Sequence, residues 1–104
     1  MIRNVVVGRL HPGADRSVLD RALRAIVALD PPGLLAVHVG TDAGLRPGNW
    51  DWALTLDFAD ADAYRAYDAD VEHNRVRAEL FGPLCRDIAR VQFEVPDPRA
   101  PADD

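Results

Sequence analysis

The chain has 104 residues, 48% of them hydrophobic and 28% charged, with a net charge of −5. That length makes one domain rather than two, and the composition is that of a soluble globular protein. The acidic balance leaves no basic patch to neutralise phosphates, which excludes nucleic acid as a partner. The single cysteine, Cys85, excludes an intramolecular disulfide, and no Cys/His cluster has the spacing of a zinc site. Cys85 reads as a small core residue. No apolar run reaches the ~20 residues of a membrane span, and no leader pattern is present. The expectation is a cytoplasmic protein without a membrane partner.

Ile2 to Leu10 reads as a strand, with Val5-Val6-Val7 apolar towards both faces. His11-Pro12-Gly13 ends it in a turn. Asp15 or Ser17 then caps a helix whose stripe is Val18, Ala22, Ile26 and Leu29, broadened by Leu19 and Leu23. Asp30-Pro31-Pro32-Gly33 stops that helix, because a residue before proline avoids helical geometry. Leu34 to Val39 is a second strand, again apolar on both faces, and residues 41–49 form a loop. Trp50 to Phe58 is a third strand with Trp50, Trp52, Leu54, Leu56 and Phe58 on one face.

Asp60 caps a second helix carrying Ala63, Tyr64 and Tyr67 on its inner side. A further helical run extends from about Val71 to Cys85, with His73, Val76, Leu80 and Leu84 as its stripe and Gly82-Pro83 disturbing its last turns. Ile88 to Val95 is the fourth strand, with Ala89, Val91, Phe93 and Val95 in phase. Residues 1–95 thus form the domain. Residues 96–104, rich in Pro, Ala and Asp, are expected to be a disordered tail.

The order β-α-β-β-α-β is that of an α+β ferredoxin-like subunit, a four-stranded antiparallel sheet with its helices on one face. Two helices cover only one face of such a sheet, yet the first two strands are apolar on both. A homodimer that packs the two sheets together resolves the conflict.

Tyr67 and His73 carry the one hint of chemistry. Both lie on apolar stripes at a helix junction, so both point inward. Six residues along an unbroken helix turn about 120°, at about 100° per residue. The two side chains therefore converge only if the backbone breaks between Asp68 and Val71, where Asp70 is available as a new cap. A neutral imidazole suits a general base at neutral pH, and a phenol can hydrogen-bond a developing oxyanion. Asn4 and Val6 on the first strand, with Trp50 and Trp52, are expected to line such a pocket. His38 faces either the pocket or the dimer contact. The competing reading makes Tyr67 and His73 core groups satisfied by the backbone.

Met1-Ile2-Arg3-Asn4-Val5-Val6-Val7, Pro32-Gly33-Leu34 with Val37-His38-Val39-Gly40, Trp50-Asp51-Trp52-Ala53-Leu54 with Asp57-Phe58, and Ala66-Tyr67 with His73 together resemble the stress-responsive α/β-barrel (Dabb) family over residues 1–95. The resemblance implies a ferredoxin-like subunit that pairs into a dimeric α/β barrel. It also implies a precedent for function. One plant member is a polyketide cyclase that closes a linear poly-β-ketone without metal or cofactor, and its catalytic Tyr and His correspond to Tyr67 and His73. Three positions depart from the family's Tyr-x-x-His-Pro-x-His stretch and first strand. Asp70 replaces the first His, Val71 replaces the Pro, and Asn4 stands where a His is usual.

Three functions follow as expectations. The first is a cofactor-independent aldol or Claisen cyclase with His73 as base and Tyr67 as hydrogen-bond donor, acting on a small apolar, aromatic or polyketide ligand. It calls for a cavity of several hundred Å³ reaching both residues. The second is a non-catalytic dimeric small-molecule-binding or stress-related module. The third is a cofactor-free monooxygenase of the antibiotic-biosynthesis type, with Trp and Tyr beside the substrate.

Overall fold

The computed structural model describes residues 1–96. Four strands, β1 (Ile2–Leu10), β2 (Leu34–Thr41), β3 (Trp52–Phe58) and β4 (Cys85–Glu94), form one antiparallel sheet in the order β2-β3-β1-β4. This is the ferredoxin-like arrangement, with the doubly apolar β1 in the interior of the sheet. Of the tail expected over 96–104, residues 97–104 lie outside the described part.

Helix α1 (Arg16–Ala28) starts where the Asp15 carboxylate accepts the Ser17 backbone N–H at 2.9 Å. It buries Leu19, Ala22, Leu23 and Ile26. Helix α2 (Ala61–Asp68) starts where Asp60 accepts the Ala63 N–H at 2.8 Å. Helix α3 (Val71–Val76) leads into a π-helical segment, Arg77–Phe81, and a last short turn, α4 (Gly82–Leu84). All lie on the sheet face that carries Trp52, Leu54, Leu56 and Phe58, and together they close the core.

Strand pairing sets which side chains share that face. Asn4 stands opposite Leu56 and Gln92, Val6 opposite Leu54 and Arg90, and Gly8 opposite Trp52 and Ile88. Directly opposed residues point the same way, so these line the helix side. The other face carries Arg3, Val5 and Val7, with Ala53, Thr55, Asp57, His38, Val91 and Phe93. There the Arg3 guanidinium grips the buried Asp57 carboxylate through two hydrogen bonds of 2.7 and 3.0 Å. That pairing holds the Asp57 carboxyl below its ordinary pKa.

The structure corrects the expected elements at four points. Strand β3 begins at Trp52, not Trp50: the Asp51 carboxylate takes the Leu10 N–H at 2.8 Å, and Trp50 leaves the ladder to lie under the Arg9 guanidinium, 4.3 Å from its ring centre. A register shift between Leu34 and Ala36 leaves Leu35 as the extra, exposed residue. That bulge puts His38 on the sheet face opposite Leu34, although their spacing is even. The last helical run is not one α-helix. Pro83 has no N–H to give, and the backbone widens before it so that the Gly82 N–H reaches the Arg77 carbonyl five residues back. Strand β4 accordingly starts at Cys85, three residues earlier than the apolar pattern implied.

Trp52 lies directly over Gly8: a methyl group there would sit 2.3 Å from its ring. Gly8→Ala is expected to displace the indole and lower stability by about 1–3 kcal/mol, the cost of overpacking. Urea denaturation followed by Trp fluorescence measures it, and an unchanged midpoint would remove Trp52 from its assigned place.

Candidate active site

The site is built by the turn between α2 and α3. Helix α2 ends at Asp68, and Asp70 adopts an extended conformation, φ −68° and ψ 133°. Its carboxylate accepts the His73 N–H at 2.9 Å and so caps α3. The Asp70 N–H donates to the Tyr67 carbonyl at 3.1 Å, and the Asn74 amide donates to the Asp68 carbonyl at 3.2 Å. The Tyr67 and Asp68 carbonyls and the His73 N–H thus find partners within the turn. The break re-aims α3, and the Tyr67 and His73 rings come to lie with centres 3.9 Å apart and planes 30° apart.

Both side chains are buried, Tyr67 with 4% and His73 with 8% of its surface exposed. Phe58 packs on the far side of Tyr67, 5.2 Å between ring centres. Burial pushes the Tyr67 phenol well above its ordinary pKa of 10.0, so it stays protonated and can only donate or accept a hydrogen bond. Burial, helped by the Arg77 charge and opposed by Asp68, pushes the His73 imidazole below 6.5. It is therefore neutral at pH 7. The His73 Nδ1 atom is buried without a hydrogen bond of full geometry; the Tyr67 backbone carbonyl lies close enough to favour the charged imidazole, and burial outweighs it. A buried polar atom so weakly satisfied is costly, and a ligand or water that donated to it would relieve that cost.

Both rings line a cavity of about 40 Å³. Asn4, Val6 and Trp52 line it too, so three of the five expected substrate-binding residues join the pair. Asn4 is itself buried and accepts the Gln92 side-chain amide at 2.8 Å. The other two, His38 and Trp50, do not. They line a separate hollow of about 490 Å³ at the end of β2 and β3, which reaches neither Tyr67 nor His73. The bulge in β2 excludes His38, and the late start of β3 at Trp52 excludes Trp50. The cavity that holds the pair is far smaller than the several hundred Å³ expected; it has room for one or two waters.

Eight further residues line the cavity, and five of them set its character: Phe81, Tyr64, Asp68, Arg77 and Arg90. Phe81 packs 5.0 Å from Trp52 and closes one wall. Tyr64, Arg77 and Arg90, with Asp68, form the polar rim. The signal for Arg90 was its alternation with Ala89 and Val91, which places it in phase with Ile88 on the helix side. Arg77 stands four residues after His73 on the same helical turn, its N–H on the His73 carbonyl, so the i, i+4 spacing was the signal that could have found it. Cys85 is half-buried and its thiol pKa is raised by burial, in keeping with a packing role. Among the described residues no cluster of His, Cys, Asp or Glu can hold a metal ion, and no helix is long and apolar enough to cross a membrane.

The β2-β3-β1-β4 sheet with its helices on one face places the chain among the ferredoxin-like α+β subunits. Residues 2–95 match the model of the Stress responsive A/B Barrel Domain, and the chain belongs to this Dabb family. It is similar to a dimeric ferredoxin-like protein of unknown function from Thermobifida fusca, at 28% identity, TM-score 0.80 and 90% coverage of each chain. The hydroxynitrile lyase of Passiflora edulis shares the fold at 18% identity, TM-score 0.79 and 96% coverage of each chain. A cofactor-independent oxygenase from Streptomyces nogalater shares it at 16% identity and TM-score 0.66, over 92% of this chain and 93% of that one. A search of curated proteins finds no match.

The Asp70 cap and the buried imidazole each have a measurable consequence. Asp70→Ala is expected to cost about 1 kcal/mol, the usual value of an N-cap, and to loosen the ring stack seen as ring-current shifts in NMR. For His73 the sign follows from a pKa lower in the folded state than unfolded. The stability it contributes is full above about 6.5 and is lost as pH falls towards the folded value. Chemical denaturation below that pH is expected to show a steeper loss for the native chain than for His73→Phe; parallel curves would mean that His73 is not buried neutral.

Proposed function

We propose that the Tyr67–His73 cavity is a cofactor-independent acid/base site for proton transfer at a carbon flanked by carbonyl groups, of the polyketide-cyclase type. The single observation that carries this is the stack itself: a neutral imidazole with a weakly satisfied Nδ1, held 3.9 Å from a phenol that stays protonated. His73 removes the proton, and the Tyr67 hydroxyl donates a hydrogen bond to the oxygen on which charge develops. Ile26, Leu54, Trp52 and Phe81 keep the site apolar, so that both interactions act in a poorly screening medium. A chain long enough to close a ring needs more than 40 Å³, so the reading includes an outward shift of Phe81 on its π-helical segment to admit substrate.

A second reading, a cofactor-free oxygenase, draws support from Trp52 and Tyr67 lining the same cavity. It predicts oxygen uptake with a hydroxyanthrone substrate, which ring closure does not.

The working unit in this proposal is a homodimer. The helix-free sheet face leaves Val91 56% and Phe93 46% exposed beside Val5 and Val7, an apolar strip that a second sheet would cover. The Thermobifida fusca relative, described as dimeric, supports it.

His73→Ala is expected to lower turnover of a linear poly-β-ketone by roughly 10²–10⁴-fold, the span of general-base catalysis, and Tyr67→Phe to lower it as well. Unchanged rates in both variants would end the acid/base assignment. Light scattering is expected to give twice the 11.4 kDa chain mass. Val91→Glu with Phe93→Glu should halve the native value, and a native chain already monomeric at micromolar concentration refutes the dimer.

A further inference from the structure

The rim of the Tyr67–His73 cavity carries charge that proton transfer does not require. Arg77, from the π-helical segment, and Arg90, from β4, both line the cavity, with Asp68 as the one carboxylate beside them. Arg77 is engaged. It lies 3.7 Å from Asp68 and also hydrogen-bonds the Asn74 side chain. Arg90 makes no salt bridge among the described residues, although it points to the helix side of the sheet, in register with Val6. Two guanidiniums against one carboxylate leave the mouth positive on a chain whose net charge is −5. Beneath them the cavity is narrow and mostly apolar, and the buried His73 Nδ1 lies weakly satisfied at its side.

From this arrangement we infer that the cavity takes a slim, linear carboxylate, its anionic head between Arg90 and Arg77 at the mouth and its carbon chain running inward past Tyr67 and His73. Guanidinium groups recognise carboxylates through paired, charge-assisted hydrogen bonds, and they do so best where water is partly excluded. The cavity of about 40 Å³ holds one or two waters, so the carbon chain enters with the same outward shift of Phe81 that the proposed function includes, and an unbranched chain asks for the smallest shift. Asp68 competes with the ligand for Arg77, so the anion displaces a weak, half-exposed ion pair rather than a buried one. This inference deepens the proposed acid/base function, since it rests on the same cavity and gives its substrate class as a linear acid, but it concerns binding and not the proton transfer.

The test is an NMR titration of the full chain with hexanoate, hexan-1-ol and hexylamine at low ionic strength, following His73 and the arginine side chains. Hexanoate should bind roughly tenfold or more tightly than hexanol, the worth of a hydrogen bond to a charged group, with hexylamine weakest. Added salt should narrow the gap. Arg90→Gln should abolish the preference for hexanoate over hexanol, and Asp68→Asn should strengthen hexanoate binding, a gain that misfolding cannot produce. Equal binding of hexanoate and hexanol, no hexanoate binding at millimolar concentration, or a preference that survives Arg90→Gln overturns the inference. His73→Gln separates it from the catalytic reading. If turnover is unaffected while the carboxylate preference stays, the acid/base proposal fails and this one stands.

Discussion

One hydrogen bond organises this molecule's site: the Asp70 carboxylate on the His73 N–H. It lets the chain stop α2 and restart α3 within two residues, and it rotates the new helix so that His73 meets Tyr67. Without the break, the two residues would lie about 120° apart on one helix. Val71 stands where the family's stretch has a proline, so the break here rests on a side-chain cap rather than on a blocked N–H. The Tyr67 and Asp68 carbonyls are taken up by the Asp70 N–H and the Asn74 amide, which ties the end of α2 to the start of α3.

The sheet gives that stack its surroundings. Alternation along β1 and β3 brings Asn4, Val6 and Trp52 beneath the helices and sends Val5, Val7 and Thr55 to the other side. Gly8 leaves space for the Trp52 indole, and Phe81 closes over it. The result is a dry, narrow cavity that keeps the imidazole neutral and the phenol protonated by the same cause, loss of water. Its mouth is the opposite in character, with Arg77, Arg90 and Asp68 meeting solvent. Apolar depth and a charged rim thus meet within one small site.

Much of this was legible beforehand because it is periodic or local. The β-α-β-β-α-β order, the Asp15, Asp60 and Asp70 caps, the inward stripe of Tyr67 and His73 and the alternation of Trp52 to Phe58 are all written in spacing. Single-residue events were not. The bulge at Leu35 reversed the face of His38, because one extra residue flips every side chain after it. Asp51 took the ladder hydrogen bond of Leu10 and put Trp50 outside the sheet. Phe81 closed the cavity from a widened helical turn that ends at Pro83, which the stripe of the last helical run did not foretell.

The sequence by itself determined the elements, the faces of the central strands and the pair of side chains on which chemistry would rest, since hydrophobic period and capping chemistry act over a few residues. Only the tertiary structure decided that those two rings touch, that their cavity is small, and that two arginines from separate elements guard it. Those facts depend on how distant segments meet, Arg90 from the edge strand and Arg77 from the helix across it. No local pattern encodes a distance between them.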